Sequence, residues 1–275
     1  MADARPRLRI NADDFGRSPR VNAAVARAHD EGVLTSASLM ITAPAAAEAV
    51  ALARARPRLE VGLHLALADA PAAVPHDPTL GLTTPDGWLR RDPVRQALRI
   101  TLDPRARAAA AREVEAQLAR FRASGLPLRH VDGHLNLHLA PPVLWALCRL
   151  LPAYGRPEVR VPRERLAPAL LLNPRPLVYK VAHAAVFGLL APWARRALRR
   201  AGLPVRDRVL GLLSTFDPPD ARVLVGLVDE VQGATELYLH PGAAPPAEDR
   251  ELAALLAPEV AAAVAARGVV LERRP

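Results

Sequence analysis

Four places along the chain carry side chains able to do acid–base or metal chemistry: Asp13-Asp14, His64, the segment from His130 to His138, and His240. Two adjacent carboxylates suit a hydrolase in which one binds a divalent metal and the other takes a proton from water. The same pair also fits an Asx-type turn that caps the following helix. Asn11 is placed to orient either carboxylate by hydrogen bonding, and Phe15-Gly16 adds an apolar wall and a sterically free turn residue. His64 alone reads as a core histidine; beside the other groups it reads as a ligand. In the third segment, His130, Asp132, His134, Asn136 and His138 alternate with apolar residues or glycine, so an extended chain would set all five on one face. Pro141 starts a helix only afterwards, so His134 and His138 are not expected to form a helical ligand pair. An aspartate with two histidines can hold a divalent ion and leave positions for water and substrate, without choosing between zinc and other ions. His240, ahead of Pro241-Gly242, fits either a core hydrogen bond at a forced turn or a proton donor to a leaving group.

These groups need elements to bring them together. Apolar strand patterns at 8–12, 37–41, 59–64, 128–132, 159–162, 236–240 and 269–271 are interleaved with helical patterns at 20–31, 104–124, 141–151 and 220–232. An Ala-rich helix also follows Pro44, and two short helical patterns follow Ala247. Strand–helix alternation predicts a parallel α/β fold, in which C-terminal strand ends gather at one site whatever their separation in sequence. All four chemical groups finish or follow a strand. Residues 69–94, rich in Pro, Asp, Gly and Thr, read as a lid or binding loop. Residues 176–201 form an apolar helical stretch with a basic end, inside a helical insertion expected at about 165–210. No linker divides the chain, so one domain over 1–275 is expected.

Composition narrows the class further. The chain has 275 residues, 51% of them hydrophobic, which is enough for a core and excludes a disordered reading. Arg and Lys exceed Asp and Glu by 37 to 28, a formal charge of +9, and Lys180 is the only lysine. That charge is compatible with nucleic acid, an anionic membrane or an anionic substrate. Aromatic residues are only 4% and no basic repeat occurs, so a specific nucleic-acid partner is not expected. The single Cys148 excludes an internal disulfide and any Cys-rich metal site. The N-terminal segment lacks a signal-like apolar stretch and no run of 18 uncharged apolar residues occurs, so the expected compartment is the cytoplasm.

Taken together, NADDFG at 11–16, GLHL at 62–65, HVDGHLNLH at 130–138 and ELYLHPG at 236–242 resemble the YdjC-like carbohydrate deacetylase family, most nearly its hopanoid-biosynthesis branch. The resemblance implies a distorted TIM-like (β/α) barrel and metal-dependent removal of an acetyl group from an N-acetylated sugar or glycolipid. It implies that Asp14, His64 and His134 bind one divalent ion, Mg or Zn. Asp13 would be the general base and His240 the acid or proton relay. Asn11, Asp132, Asn136 and His138 would contact substrate or support the ligands. Asn136 stands where the family usually has histidine; it keeps hydrogen-bonding capacity but not an imidazole's acid–base role. A hopanoid-linked glucosamine would also give the basic-ended helix at 176–201 a use, as a peripheral contact with the inner membrane face. Competing readings are a soluble N-acetyl-oligosaccharide deacetylase, a metal-dependent phosphoesterase and a non-enzymatic basic module that binds nucleic acid or membrane.

Overall fold

A computed structural model describes residues 5–245 and 248–273. Its strands are β1 (Arg7–Phe15), β2 (Ser36–Leu39), β3 (Glu60–Leu65), β4 (His130–Gly133), β5 (Glu158–Val159), β6 (Arg208–Leu210), β7 (Ala234–Leu239) and β8 (Val270–Leu271). They form one curled sheet in the order β5-β4-β3-β2-β1-β7-β6, with β8 added beside β1 and every strand pairing parallel. The segment that follows β5 meets β6 through an isolated antiparallel bridge between Arg163 and Val209. The result is a distorted, incompletely closed TIM-like barrel: the alternation of elements predicted its parallel α/β construction, and the family resemblance implied the barrel.

The period-2 pattern of β1 explains its two-sided burial. Leu8, Ile10 and Ala12 are fully buried in the hydrophobic core. Arg9, Asn11 and Asp13 alternate with them and contact residues of other strands across the barrel interior. Arg9 pairs with Glu158 at 2.6 Å and with Glu60 at 3.4 Å. This interior is therefore charged rather than filled by branched aliphatics, the usual occupants of such barrels. Two glycines are required by close packing within it. A Cβ on Gly62 would lie 2.4 Å from the His130 ring, and one on Gly133 would lie 2.7 Å from the His138 ring.

The helices cover the sheet largely where the sequence places them. In α1 (Pro19–Glu31), Ser18 caps the N-terminus by accepting from the Val21 N–H, and Val21, Ala24, Val25 and Ala28 face inward. The helices α2 (Ala46–Arg54), α4 (Pro104–Ala123), α5 (Pro141–Leu150) and α8 (Ala221–Val228) follow their predicted patterns. An additional helix, α3 (Pro93–Leu102), ends the loop expected at 69–94, capped by Asp92. That loop is folded on itself through bridges between Pro71 and Trp88 and between Thr83 and Leu89. Ala247, where the tail helices were expected to begin, lies outside the described residues; α9 (Arg250–Leu256) and α10 (Pro258–Ala266) follow. Within 165–210 the helical part is α6 (Leu166–Leu172) and α7 (Leu177–Arg200). The insertion ends earlier than predicted, because 208–210 is strand β6 of the barrel itself. Three residues give too short a pattern for periodicity to reveal.

Glu164 sits at the β5–β6 seam. Its Oε2 accepts from the Leu213 N–H at 2.9 Å, while Oε1 is buried without a partner. Burial pushes this carboxyl up to about 7, against the Leu213 hydrogen bond and the charges of Lys180 and Arg208. A folded-state value above the unfolded one means that this carboxyl's own contribution to stability is fully present below its ordinary value and is lost as pH rises through about 7. Glu164→Gln keeps the acceptor and removes the ionisation. It is expected to melt about 5 °C above the parent at pH 8, a gap on the order of 2 kcal/mol, and to match it near pH 4. Melting curves at the two pH values check this; a gap that does not change with pH would refute it.

Candidate metal centre

The C-terminal ends of β1, β3, β4, β5 and β7 converge on one cluster. At the end of β1 the register with β2 shifts between Ala12 and Phe15, and Asp14 adopts a left-handed backbone with φ 63°. In a regular strand Asp13 and Asp14 would point to opposite faces. The irregularity turns both carboxylates into the same cavity, and aspartate tolerates that conformation better than a branched residue would.

Asp14, His64 and His134 bring three donor atoms to within 4.8 Å of one another, and all three residues are buried. His134 Nδ1 approaches Asp14 Oδ1 to 2.9 Å and His64 Nε2 approaches it to 3.4 Å. That oxygen nevertheless has no hydrogen-bond partner of acceptable geometry. Close approach without hydrogen-bond alignment, in a set of one carboxylate and two imidazoles, fits a divalent ion lying among the three atoms. Burial works to raise the Asp14 carboxyl, but the imidazoles of His134 and His64 outweigh it and hold it well below the usual carboxylate range.

The supporting residues are as ordered as the donors. His64 and Asp132 are register partners on β3 and β4, and the Asp132 carboxylate meets His64 Nδ1 at 2.7 Å. This leaves Nε2 facing Asp14 and fixes the ring's orientation, the usual arrangement behind a metal-binding histidine. Ser38 donates to the other Asp132 oxygen at 2.6 Å. Burial alone would lower the His64 imidazole; the charges of Asp13 and Asp132 overcome it and raise it to about 10. At the mouth, Arg17 donates to Asp69 at 2.9 Å and approaches His134 Nε2 at 3.2 Å. A guanidinium only donates, so this approach suits a ring proton on Nδ1; an ion on Nδ1 would place the proton on Nε2 and require Arg17 to withdraw from it.

Asp13 lies beside the donor set. Asn11 donates to its Oδ1 at 2.8 Å, as the sequence predicted, and Arg160 donates to both of its oxygens at 2.7 and 2.8 Å. His240 Nε2 is 3.9 Å from Asp13 Oδ2, and its side chain remains partly exposed at the mouth. The cavity outside holds about 500 Å³ and is lined by Asp14, Arg17, Met40, Asp69, Trp88 and His240. Asp69 and Trp88 come from the loop at 69–94, which therefore does border the site.

The extended reading of 130–138 is not what the chain does. Only His130–Gly133 is strand; His134–Leu139 forms a tight 3-10 turn in which Leu135 and Asn136 have φ of 55° and 57°. Two successive left-handed residues rotate the chain, so the alternating side chains do not share a face. His134 goes to the cluster. His138 is buried away from it and contacts the Arg160 carbonyl at 2.9 Å. Burial pushes the His138 imidazole down to about 4 and that of His130 to about 3, so both are neutral. Asn136 sits on the turn in a conformation that asparagine adopts readily.

Arg160 is the functional residue that sequence reasoning missed. Besides Asp13 it contacts Asp132 and Glu236, both at 2.6 Å, and its guanidinium lies 4.4 Å from the Tyr238 ring centre. One signal was available: an arginine between Val159 and Val161 interrupts an apolar strand end. It was hidden among the many other arginines of the chain.

Comparison with known proteins agrees with this geometry. The family described as YdjC-like protein matches residues 7–266. A carbohydrate deacetylase of Brevibacillus brevis is 40% identical over 158 residues, covering 57% of this chain and 59% of that protein. A human carbohydrate deacetylase is 32% identical over 263 residues, covering 88% of this chain and 76% of the relative. The chain spans 59% and 53% of the lengths of the Brevibacillus and mouse relatives. Among solved structures, an Enterococcus faecalis V583 protein named for cellobiose-phosphate cleavage superimposes with a TM-score of 0.74 at 22% identity, covering 98% and 97% of the two chains. That likeness concerns the fold.

Proposed function

Since the chain belongs to the YdjC-like family, we propose that it is a metal-dependent hydrolase that removes the acetyl group from an N-acetylated sugar. The observation that carries this reading is the convergence of Asp14, His64 and His134 on one point directly beside the Asp13 carboxylate. The deacetylase activity named for the relatives supports it.

Hydrolysis of an acetamide requires an activated water, stabilisation of a tetrahedral oxyanion and a proton for the departing amine. A divalent ion held by Asp14, His64 and His134 would polarise the acetyl carbonyl and acidify water. Two imidazoles in the donor set favour an ion such as zinc over magnesium. Asp13 takes the water's proton; its two oxygens are oriented by Arg160 and Asn11, so the carboxylate is positioned before substrate arrives. His240, partly exposed and within 3.9 Å of Asp13, supplies the proton to the amine nitrogen. Asp132 holds the His64 ring and the Arg160 guanidinium together. Trp88 at the cavity wall offers a flat apolar surface with a polar edge to a sugar ring.

A soluble N-acetyl-oligosaccharide is the broad form of this substrate. The narrower form is a glycolipid such as an N-acetylglucosaminyl hopanoid, favoured by the exposed apolar surface of α7. The test is a metal-stripped preparation given soluble and lipid-linked N-acetyl sugars with single ions added back, measuring acetate and free amine. Turnover is expected to fall by roughly a hundredfold or more on stripping and to return with one divalent ion. Acetate release indifferent to chelation rejects the metal role, and release of phosphate instead would favour the phosphoesterase reading.

A further inference from the structure

We propose that α7 is a membrane-surface helix, lying in the interfacial plane of an anionic bilayer with its C-terminal arginines on lipid phosphates. Its outward stripe runs through Val178, Val181, Ala185, Leu189 and Pro192, spaced by three or four residues as one face of a helix requires. Val178 and Leu189 are each 83% exposed. Leu171 of α6, 86% exposed, and Phe216 after β6, 68% exposed, add to the exposed apolar surface of this region. Phe216 packs edge-on against Tyr179 of α7 with ring centres 4.3 Å apart. At Arg196 the same stripe becomes basic, and Arg199 and Arg200 are exposed beyond it. The helix contains no acidic residue. Water-soluble surfaces rarely leave so long an aliphatic stripe open. An apolar face with arginines at its edge is the pattern of helices that rest on membranes.

By length and composition α7 could cross a membrane. Its packing argues against spanning. Ala191, Ala194 and Leu198 are buried against the body, and the chain enters β6 at Arg208 soon after the helix ends. A cavity of about 740 Å³ opens along this half of the helix, lined by Phe187, Leu212 and Leu213 and by Arg163, Arg196 and Arg199. Guanidinium groups bind phosphate oxygens in pairs, and the apolar lining can receive the adjoining part of a lipid. Glu164 also lines this cavity.

Charge complementarity selects the occupant. An acidic protein would satisfy the arginines but not four helical turns of aliphatic surface. A second copy would set one +9 chain against another. An anionic bilayer satisfies both halves of the helix. The position also serves the chemistry. Phe187 and Ala184 pack on the cluster of Leu212, Leu213 and Tyr238, and Tyr238 lies edge-on to His240 with ring centres 5.9 Å apart. Thus α7 and the candidate metal centre flank one wall, and a sugar carried on a lipid would be offered close to the site. Only this last step rests on the deacetylase reading; bilayer binding stands without it.

The full chain is floated with vesicles of phosphatidylcholine alone or mixed equally with phosphatidylglycerol, at low and moderate salt, and its mass in solution is measured without lipid. Binding to the anionic vesicles is expected, weakening with salt. Arg196→Gln with Arg199→Gln and Arg200→Gln should lower it roughly tenfold to a hundredfold. Val178→Asp with Leu189→Asp should lower it at least roughly tenfold. Both variants should keep the parent's melting temperature and its turnover of soluble N-acetyl sugars, since neither touches the site. Flotation that is absent, or equal in parent and variants, overturns the proposal. So does a parent dimer that the aspartates split, which would assign the stripe to a second copy. Vesicle binding without any deacetylation would instead strike the reading of the site and leave the membrane helix standing.

Discussion

Asp13→Asn is expected to lower kcat by about 10²–10⁴ while leaving metal binding intact. The substitution preserves shape and keeps one oxygen to accept from Arg160 or Asn11, so the side chain should stay where Arg160 and Asn11 hold it. What it loses is the ability to take a proton. Asp13 also lies in a second donor group with His64 and Asp132, but Arg160 already holds both of its oxygens, so bound metal per chain should be unchanged. Arg160 keeps Asp132 and Glu236, and the fold should survive the loss of one negative charge. Asp14→Asn makes the contrast, since it removes a donor atom and should lose metal and turnover together. Steady-state kinetics beside metal analysis of both variants decides the assignment. A fall in kcat with unchanged KM at full metal occupancy is the expected signature of a group acting in the transition state. Unchanged kcat in Asp13→Asn, or a metal content that falls with activity, would remove Asp13 from the role of base.

Replacing Arg160 with methionine should produce the largest stability effect in the molecule, a loss of about 3–5 kcal/mol. The guanidinium is buried and touches Asp13, Asp132 and Glu236. Burial alone would make it easier to discharge; the three carboxylates outweigh this and hold its pKa well above the ordinary value. Removing the cation leaves three carboxylates facing one another in the barrel interior. His64 still answers Asp132, and Arg9 reaches Glu236 only at 3.5 Å. The deficit corresponds to a melting temperature lower by roughly 10 °C. Adding Glu236→Gln to Arg160→Met should recover part of it, because one uncompensated charge then disappears. That recovery, measured in a double-mutant cycle by urea unfolding, separates a charge effect from a lost packing volume. A loss below about 1 kcal/mol would show that water reaches these carboxylates and that Arg160 is not the keystone of the network.

Three features of the site are legible in the sequence because they depend on local order. Along β1, Leu8, Ile10 and Ala12 alternate with Arg9, Asn11 and Asp13, and a strand must send these two sets to opposite faces. The place of Asp14, His64, His134 and His240 at strand ends follows from the same apolar runs, and a parallel α/β fold gathers such ends. The contact between Asn11 and Asp13 was readable too, since the partners are two residues apart on one strand. The third motif was misread for an equally local reason. Alternation predicts one face only while the backbone stays extended, and Leu135 and Asn136 depart from it.

What the chain's order of residues determined by itself is the alternation of strands and helices, the family resemblance and the set of groups offered to the site. The tertiary structure alone decided which of them meet. Arg160 and Asp13 are 147 positions apart, and their pairing depends on the curvature of a sheet in which β1 and β5 are four places apart. Strand β6 and the seam it makes near Arg163 are likewise invisible locally, because a three-residue strand has no period. Side-chain direction is a short-range property of the backbone and can be read along a sequence; the match of charge to charge across a barrel is long-range and exists only once the sheet has curled around it.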